Sequence, residues 1–375
     1  MSGCAHAGDP IRIGTSGDYP PFSADGDGFD VAVAVRLAED LGRPIEWVPF
    51  RWPTLGESVA GGEFDVAMSG VTWRPERAVS GYMTRAVAAS GPCVVGDAAP
   101  GRVAVNRGGI LEAWTREAFP DAQVVTTDEN LSLPNLLASG SADAFVTDSV
   151  EVDHLREGTT AVRCEPAIDR KVYWVTETEG PLGLRIDAWL ADNEETLEHL
   201  RTEYFGHPHP RSASDHLADL LARRLAFMPD VAAWKRQRGI PIEDRSRETK
   251  VLAAAKEAAA AAGLDAVRAE SFFALQIELA KRIQRRALDE NDETGPLELD
   301  RIRPVLITIG DRIVGALAEL HDSNRPFDRS TLFVLEPYLR RDEIEALADR
   351  IDALVATDRP RPSGPTPTET TSEAR

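Results

Sequence analysis

The sequence lacks the features of a membrane protein. It contains no apolar run of the roughly 18 residues that a spanning helix needs, and its first residues, MSGCAHAGDP, lack the apolar core of a signal peptide. Positive charge is also scarce, because 42 Lys and Arg face 62 Asp and Glu, a net charge of −20. This charge argues against nucleic acid or an anionic membrane surface as a partner. It also requires any site for an anionic substrate to be locally basic.

Cysteine is scarce as well, and the three present are Cys4, Cys93 and Cys164. Cys93 and Cys164 fall in one predicted lobe and could pair, which suits an oxidising compartment. The Ser-Gly-Cys that ends at Cys4 is similar to the end of a lipoprotein cleavage box. We therefore expect either an exported protein whose leader was trimmed, with Cys4 as a lipid anchor, or a chance tripeptide. Metal-ligand spacing is lacking, and His207 and His209 lie in a Pro-rich linker, so we expect no cofactor.

The pattern of apolar residues divides the chain into two parts. Up to about residue 205, short apolar runs such as IRIGTS, RVAVNR and KVYWVT alternate with helical patterns, which predicts a mostly parallel sheet wrapped by helices in two lobes. From about residue 213 strand signals vanish and long helices follow. We predict a tail over 1–10, an α/β domain over 11–208, a helical domain over 213–357 and a disordered tail over 358–375. The predicted lobes are about 11–95 plus 185–208, and 96–184.

Basic and amide side chains recur through the helical part. Arg224 and Lys235 are eleven residues apart, which predicts that they project from one face of one helix. Further polar residues follow at Asp244, Arg247, Glu248, Gln284 and Arg303. They could be surface charges on amphipathic helices. Their apolar neighbours favour the alternative, in which the four cations and the amide lie on core-facing sides and form an internal pocket that an anion fills.

The order Arg, Lys, Asp, Arg-Glu, Gln, Arg across roughly residues 213 to 356 resembles the secreted, all-helical chorismate mutases of the AroQ class, gamma subclass. The resemblance implies a helical bundle that rearranges chorismate to prephenate. It implies that Lys235 and Gln284 hydrogen-bond the ether oxygen, that Glu248 accepts from the substrate hydroxyl and that Asp244 orients neighbouring cations. The two carboxylates would be held by Arg224, Arg247 and Arg303.

The first part carries its own series of motifs. GTSGDYPPF, WPTL, GGEFDVAMSGVTWRPERA, NRGG and SADAFVTDSVEVDHL together resemble the two-lobed (type 2) periplasmic solute-binding fold that binds polar amino acids. In that family the residue matching Arg77 grips the ligand α-carboxylate, and the aromatic residue matching Tyr19 packs on the ligand. The resemblance therefore predicts a cleft between the lobes that holds a small carboxylate.

Within that family, WPTL, FDVAMSG and TDSVE are closest to the cyclohexadienyl dehydratases, which convert prephenate or arogenate to phenylpyruvate or phenylalanine. The resemblance places the acid that protonates the departing hydroxyl at Glu151, with Asn106 in the pocket. Burial must then raise the Glu151 pKa, whereas Glu151 taken alone would be a solvated helix residue. The further candidate substrate contacts are Trp52, Ser69, Gly108, Gly109, Asp148 and Lys171.

Two departures from the dehydratase pattern affect substrate binding. Ile110 stands where the family has a Thr or Ser, and Ala-Ser-Gly-Pro-Cys replaces a stretch that contains a Lys. The amides of Gly108 and Gly109 can still serve an anion. Lys171 is a possible substitute cation, but its place at a strand end favours a surface lysine.

The sequence thus predicts an exported bifunctional enzyme in which one domain makes prephenate and the other consumes it. The alternative is a chorismate mutase fused to a non-catalytic amino-acid or solute-binding module. A third possibility is that one domain is a relic. Whether the chain forms a homo-oligomer stays open.

The mutase rate should be flat between about pH 6 and 8, because the Gln284 amide donates a hydrogen bond at any pH, whereas a Glu at this position must be protonated to donate. A pH profile of chorismate consumption by the full chain measures this. A steep acid optimum would contradict the role given to Gln284.

Overall fold

The structure, a computed structural model, describes residues 9–156, 160–177, 180–206, 211–289, 297–323 and 325–356. The predictions for Cys4, for the linker at 207–210 and for the tail over 358–375 lie outside these residues.

The strands and helices of the described residues alternate in the first part of the chain and give way to helices in the second. The strands are β1 (Ile11–Thr15), β2 (Asp18–Tyr19), β3 (Ser23–Ala24), β4 (Ile45–Pro49), β5 (Val66–Ala67), β6 (Tyr82–Met83), β7 (Ala88–Ser90), β8 (Pro92–Gly96), β9 (Arg102–Asn106), β10 (Gln123–Thr127), β11 (Ala144–Asp148), β12 (Val162–Cys164), β13 (Asp169–Lys171) and β14 (Trp174–Val175). The helices are α1 (Phe29–Leu41), α2 (Leu55–Ala60), α3 (Pro75–Ala78), α4 (Ile110–Ala118), α5 (Leu133–Ala138), α6 (Val152–Leu155), α7 (Pro181–Asp192), α8 (Glu194–Phe205), α9 (Ala213–Ala226), α10 (Met228–Gln237), α11 (Arg245–Ala261), α12 (Ala266–Asp289), α13 (Leu299–Ser323) and α14 (Arg341–Val355).

Two sheets form the two lobes, as predicted. The first has the order β4-β1-β5-β14-β6 and the second the order β10-β9-β11-β8-β12. β1 runs parallel to β4 and β5, and β9 runs parallel to β10 and β11, because helices cross over between these strands. β8, β12 and β14 are antiparallel to their neighbours, so both sheets are mixed.

The chain passes from one sheet to the other at points that differ from the predicted lobe limits. β8 starts at residue 92 and already belongs to the second sheet, and β14 at 174–175 already belongs to the first. The chain therefore leaves the first lobe before residue 96 and returns to it before residue 185. Between the sheets, β7 and β13 pair as a two-stranded antiparallel ladder, which we call the hinge ladder. This pairing sets the exchange points, and it joins Ala88–Ser90 to Asp169–Lys171, two distant segments that no local pattern connects.

The helical domain consists of α9 to α14, with a core that includes Leu217, Phe272, Ile313, Leu317 and Ile351. The prediction of one helix carrying both Arg224 and Lys235 is wrong, because α9 ends at Ala226 and α10 begins at Met228. Pro229 lies in the first turn of α10, where it has no N–H to donate to the preceding turn.

The helical domain packs directly against the first lobe. The ring of Trp73 meets the ring of Phe227 edge to face, with centroids 5.9 Å apart. A single apolar cluster runs from Phe64 and Met83 in the lobe to Leu217 and Leu221 in α9. At its margin, Arg170 of β13 donates from Nε to Asp219 of α9 over 2.6 Å. The hinge ladder is therefore fixed to the helical domain as well as to the lobes.

A disulfide joins Cys93 of β8 to Cys164 of β12. The two residues face each other across the antiparallel pair, with their Cα atoms 4.0 Å apart. The pairing that the sequence left open is thus formed inside the second lobe. Among the described residues, none of the helices has the length and apolar character required to cross a membrane.

Replacing both Cys93 and Cys164 by Ser should lower the free energy of unfolding by about 2–4 kcal/mol, because the disulfide restricts the unfolded chain. Denaturant unfolding of the full chain measures this. Equal unfolding midpoints for the two proteins would show that the bond does not stabilise the lobe.

Candidate functional site

A buried lysine lies at the centre of the cleft between the lobes. Lys171 is 3% exposed, and its Nζ lies 3.1 Å from Asp148 Oδ2 and 2.8 Å from Asp169 Oδ2. Burial alone would lower the pKa of Lys171, but the two carboxylates outweigh burial and raise it. The expectation of a surface lysine is therefore wrong. Strand alternation in β13 turns Asp169 and Lys171 to one side and Arg170 to the other, toward the helical domain.

Tyr19 completes this cluster from the first lobe. Its hydroxyl donates to Asp148 Oδ2 and lies 3.0 Å from Lys171 Nζ. Burial raises the pKa of Tyr19 well above its usual value, with the Asp148 charge as a further cause. The Tyr19 ring meets Trp52 edge to face at 5.6 Å, and Trp52 Nε1 is buried without a partner among the described residues. The cluster therefore has an aromatic wall on one side.

Glu151, at the N-terminus of α6, is buried, as the dehydratase resemblance requires. It is 1% exposed, and burial raises its pKa to about 8, with the neighbouring Asp148 charge as a smaller cause. The Thr147 hydroxyl donates to Oε2, whereas Oε1 has no partner among the described residues. A pKa of about 8 keeps Glu151 mostly protonated at pH 7, and one of its oxygens makes no hydrogen bond to the described residues.

In the glycine turn after β9, the Gly108 amide is not free to bind an anion as expected. Asn106 has a buried Oδ1 that lacks a partner in the described part of the chain. The Gly108 amide, however, donates to Glu112 Oε2 over 2.6 Å, so a side chain of α4 occupies the donor that was expected to meet an anion. Gly108 O accepts from Arg74 Nη1 at 2.9 Å, and this bond joins the lobes on one side of the cleft. Gly109 is the N-cap residue of α4.

Arg77 and Ser69 are held from within the first lobe. Arg77 Nη1 donates to Thr72 O over 3.0 Å, and the guanidinium lies 5.9 Å from the centroid of Trp174. Burial lowers the Arg77 pKa, with the charge of Arg74 as a further cause. The Ser69 hydroxyl is 2.9 Å from the Ser16 hydroxyl and also contacts that of Ser23, so neighbouring serines already engage it.

The helical domain brings Lys235 and Gln284 together. Lys235 Nζ donates to Gln284 Oε1 over 3.3 Å and to the Ile242 carbonyl over 2.7 Å. Gln284 is 5% exposed, and its amide nitrogen faces Met228 Sδ at 3.5 Å. A cavity of about 480 Å³ opens beside Lys235 and Ile242. The lysine thus fixes the orientation of the amide, since it meets the oxygen end and leaves the NH2 group as a donor.

The other predicted cations divide between core and solvent. Burial lowers the pKa of Arg224 to about 10, with the charge of Arg247 as a further cause, and its Nε lacks a partner among the described residues. Burial also lowers the pKa of Lys235, which responds to the charges of Arg247 and Arg303. Arg247 and Arg303 themselves are exposed, so their expected core-facing positions are wrong. Water keeps these mutually repelling charges hydrated.

The two acidic residues of this cluster already have contacts. Asp244 is the N-cap of α11, where Oδ1 accepts from the Arg247 amide over 3.0 Å. Glu248 Oε2 accepts from Lys281 Nζ over 3.2 Å. Sequence reasoning missed Lys281, although its position three residues before Gln284 places both on one face of α12.

Comparison with known proteins covers both parts of the chain. The model of bacterial extracellular solute-binding proteins, family 3, matches residues 11–207, and that of chorismate mutase type II matches residues 213–285. The chain is 30% identical to the cyclohexadienyl dehydratase of Pseudomonas aeruginosa over 204 residues, which are 48% of this chain and 76% of that protein. It is 35% identical to the secreted chorismate mutase of Yersinia pestis over 107 residues, 27% of this chain. The chain spans 58% of that mutase, less than two thirds of its length.

Other relatives bind solutes. The L-cystine-binding protein TcyJ of Escherichia coli is 29% identical over 220 residues, which are 52% of this chain and 82% of that protein. Among solved structures, the ancestral amino acid-binding protein AncCDT-1, described as a precursor of cyclohexadienyl dehydratase, is 27% identical with a TM-score of 0.49. It covers 52% of this chain and 95% of its own. The two family resemblances predicted from the sequence are confirmed. The chain belongs to the family 3 bacterial extracellular solute-binding proteins and carries a chorismate mutase type II domain fused to its solute-binding domain.

Proposed function

We propose that the protein is a bifunctional enzyme. The helical domain would convert chorismate to prephenate, and the two-lobed domain would convert prephenate or arogenate to phenylpyruvate or phenylalanine. One observation carries the second activity: Glu151 is a buried carboxyl whose pKa is about 8 and whose Oε1 has no partner among the described residues. A pure solute-binding cleft has no need for a neutral carboxylic acid.

The dehydration needs an acid because hydroxide is a poor leaving group. As the C–C bond to the departing carboxylate breaks, its electron pair enters the ring and CO2 is released. The C–O bond at the opposite side of the ring breaks at the same time, and Glu151 gives its proton to the oxygen, so that water leaves. Thr147 holds the other carboxyl oxygen, which fixes the direction of proton donation. Glu151 then recovers a proton from solvent.

Cations in the cleft support the binding of an acidic substrate. Arg77 would hold a substrate carboxylate, with the Asn106 amide beside it. Lys171 would supply the positive charge that a Lys of the altered stretch provides in the dehydratase family. It lies on β13 directly opposite Ala88 of β7, the strand in which the altered stretch begins. The Tyr19 and Trp52 rings would pack on the substrate ring.

The proposed mutase needs no proton transfer, only a clamp and donors for the ether oxygen, where negative charge grows. Lys235 and the NH2 group of Gln284 would be those donors. Arg224, Arg247 and Arg303 would hold the two carboxylates. The exposed positions of Arg247 and Arg303 would let them fold onto the substrate as it enters, and Glu248 would exchange Lys281 for the substrate hydroxyl.

A non-catalytic solute-binding cleft is the second candidate. It is favoured by the Gly108 amide, which Glu112 occupies, and by the relatives that bind amino acids. Giving the full chain prephenate alone and assaying phenylpyruvate, with an enzyme-free blank, separates the two. If chorismate is consumed but prephenate is not, the cleft is a binding module. We also propose that the protein is exported, on the basis of its secreted relative and its solute-binding fold.

Glu151→Gln should lower the rate of prephenate dehydration by about 10²- to 10⁴-fold, because Gln cannot donate the proton, and should leave affinity for phenylpyruvate nearly unchanged. Steady-state kinetics and calorimetric titration measure the two effects. In the unchanged protein the rate should fall as pH rises through about 8, since only protonated Glu151 is active. The matched control is Asp153→Asn, which alters an exposed acid on α6. An active Glu151→Gln variant would remove Glu151 from the mechanism.

Lys235→Met should lower kcat/KM for chorismate by about 10²- to 10³-fold, because one donor to the ether oxygen is lost. The control is Lys256→Met, since Lys256 is an exposed lysine of α11 that pairs with Glu270. Prephenate turnover by the same variant checks that the chain remains folded. A Lys235→Met variant as active as the Lys256→Met variant would rule out the proposed role.

A further inference from the structure

The contact between the first lobe and the helical domain contains an unusual amount of positive charge. The segment Met83–Arg85 of the lobe lies against α9 and α13. Arg223 Nη1 donates to Thr84 O over 2.9 Å, and Arg312 Nη1 donates to Met83 O over 2.8 Å. Each of these bonds uses only Nη1 of the guanidinium, so that Nε and Nη2 can donate to other partners.

His216 of α9 lies near enough to four guanidinium groups to feel their charges, namely those of Arg312, Arg85, Arg223 and Arg211. His216 is 8% exposed. Burial lowers its pKa well below the usual value, and the four positive charges lower it further. His216 is therefore neutral, and it can either donate or accept through Nδ1.

Two carboxylates face these cations, and both are already engaged. Asp219 accepts from Arg170 at 2.6 Å and also from Arg211. Asp187 lies 3.0 Å from Arg312 Nη2 and accepts from the Arg85 amide. Within the described part of the chain Arg223 forms no ion pair with either carboxylate and is influenced by them only through their charge, although it is only 3% exposed.

Several buried donors at this contact have no hydrogen-bond partner among the described residues. They are Arg223 Nε and Nη2, Arg85 Nε, Arg312 Nε and His216 Nδ1. Buried cationic donors without partners are strongly disfavoured, and here they come from both domains. In a chain with a net charge of −20, this local excess of positive charge is the reverse of the overall balance.

We propose that the domain contact is a binding site for a small oxyanion, held between Arg85 of the lobe and Arg223, Arg312 and His216 of the helical domain. Guanidinium forks and a neutral imidazole are suited to a compact group with several acceptor oxygens. The ligand is either inorganic phosphate or the carboxylate groups of a small organic acid. Because the donors come from both domains, the anion would fasten the domains together.

This site is separate from both proposed active sites. Arg223 and Arg224 are consecutive residues of a helix, so their side chains point about 100° apart. Arg223 meets Thr84 and the ring of Trp73, whereas Arg224 responds to Arg247 in the proposed mutase site. The proposal therefore does not depend on either proposed activity.

The test is thermal unfolding of the full chain with millimolar phosphate or malonate, compared with chloride at equal ionic strength. We expect the unfolding temperature to rise by about 3 °C with at least one of the two anions. A rise with phosphate alone identifies a tetrahedral anion, and a rise with malonate identifies a carboxylate ligand. No rise with either anion overturns the proposal.

Variants of the site give a sharper result. Arg85→Gln removes one of the repelling cations, so it should be at least as stable as the unchanged chain in chloride, yet its affinity for the anion should fall about tenfold. Arg223→Gln should also abolish the anion-induced rise in unfolding temperature. If Arg223→Gln fails to fold, the Arg85→Gln variant still tests the proposal. The control is Arg247→Gln, which alters the proposed mutase site and should keep the full rise. An equal rise in Arg85→Gln, or a loss of the rise in Arg247→Gln, would show that the anion binds elsewhere.

Discussion

The buried ion cluster of Lys171 with Asp148 and Asp169 is the interaction on which the cleft depends. A buried ammonium is tolerated only when carboxylates meet it, and here one carboxylate comes from its own strand and the other from β11 of the second lobe. Asp148 also accepts from Tyr19 of the first lobe. The same charge therefore holds both lobes against the hinge ladder.

Two neighbouring carboxyl groups of the cleft have opposite pKa shifts. Burial alone would raise the pKa of Asp148, but Lys171 and the hydrogen bonds around it lower that pKa, so Asp148 is charged. Glu151, three residues later, is equally buried, and burial together with the Asp148 charge raises its pKa to about 8, although the hydrogen bond from Thr147 opposes this rise. Two carboxyl groups with opposite pKa shifts in one cleft are the arrangement that acid catalysis uses. Lys171 thus keeps Asp148 charged, and the Asp148 charge contributes to the raised pKa of Glu151 on which the proposed chemistry rests.

The sequence predicted the alternating strands, the two lobes and the helical domain because each rests on local periodicity. It also brought Lys235 and Gln284 together correctly, although Pro229 breaks the helix that was expected to carry Lys235. Phe227 keeps a right-handed helical conformation across the break. The burial of Lys171 was missed because a lysine at a strand end is normally solvated. Its partner Asp148 is 23 residues away, and the pairing of β7 with β13 together with that of β8 with β11 brings the two together.

In both β13 and α9, adjacent residues face different sites. These two elements therefore connect the two domains. In β13, Lys171 faces the cleft while Arg170 reaches Asp219 of α9. In α9, Asp219 and Arg223 face the lobe while Arg224 belongs to the proposed mutase site. A short strand and a helix therefore run from one proposed site to the other, joined by a partly buried ion pair 2.6 Å long. The Asp219–Arg170 pair therefore joins α9 to the strand that holds Lys171. Because Lys171 lowers the pKa of Asp148, the strand that contacts the helical domain also holds the residue that keeps Asp148 charged beside Glu151.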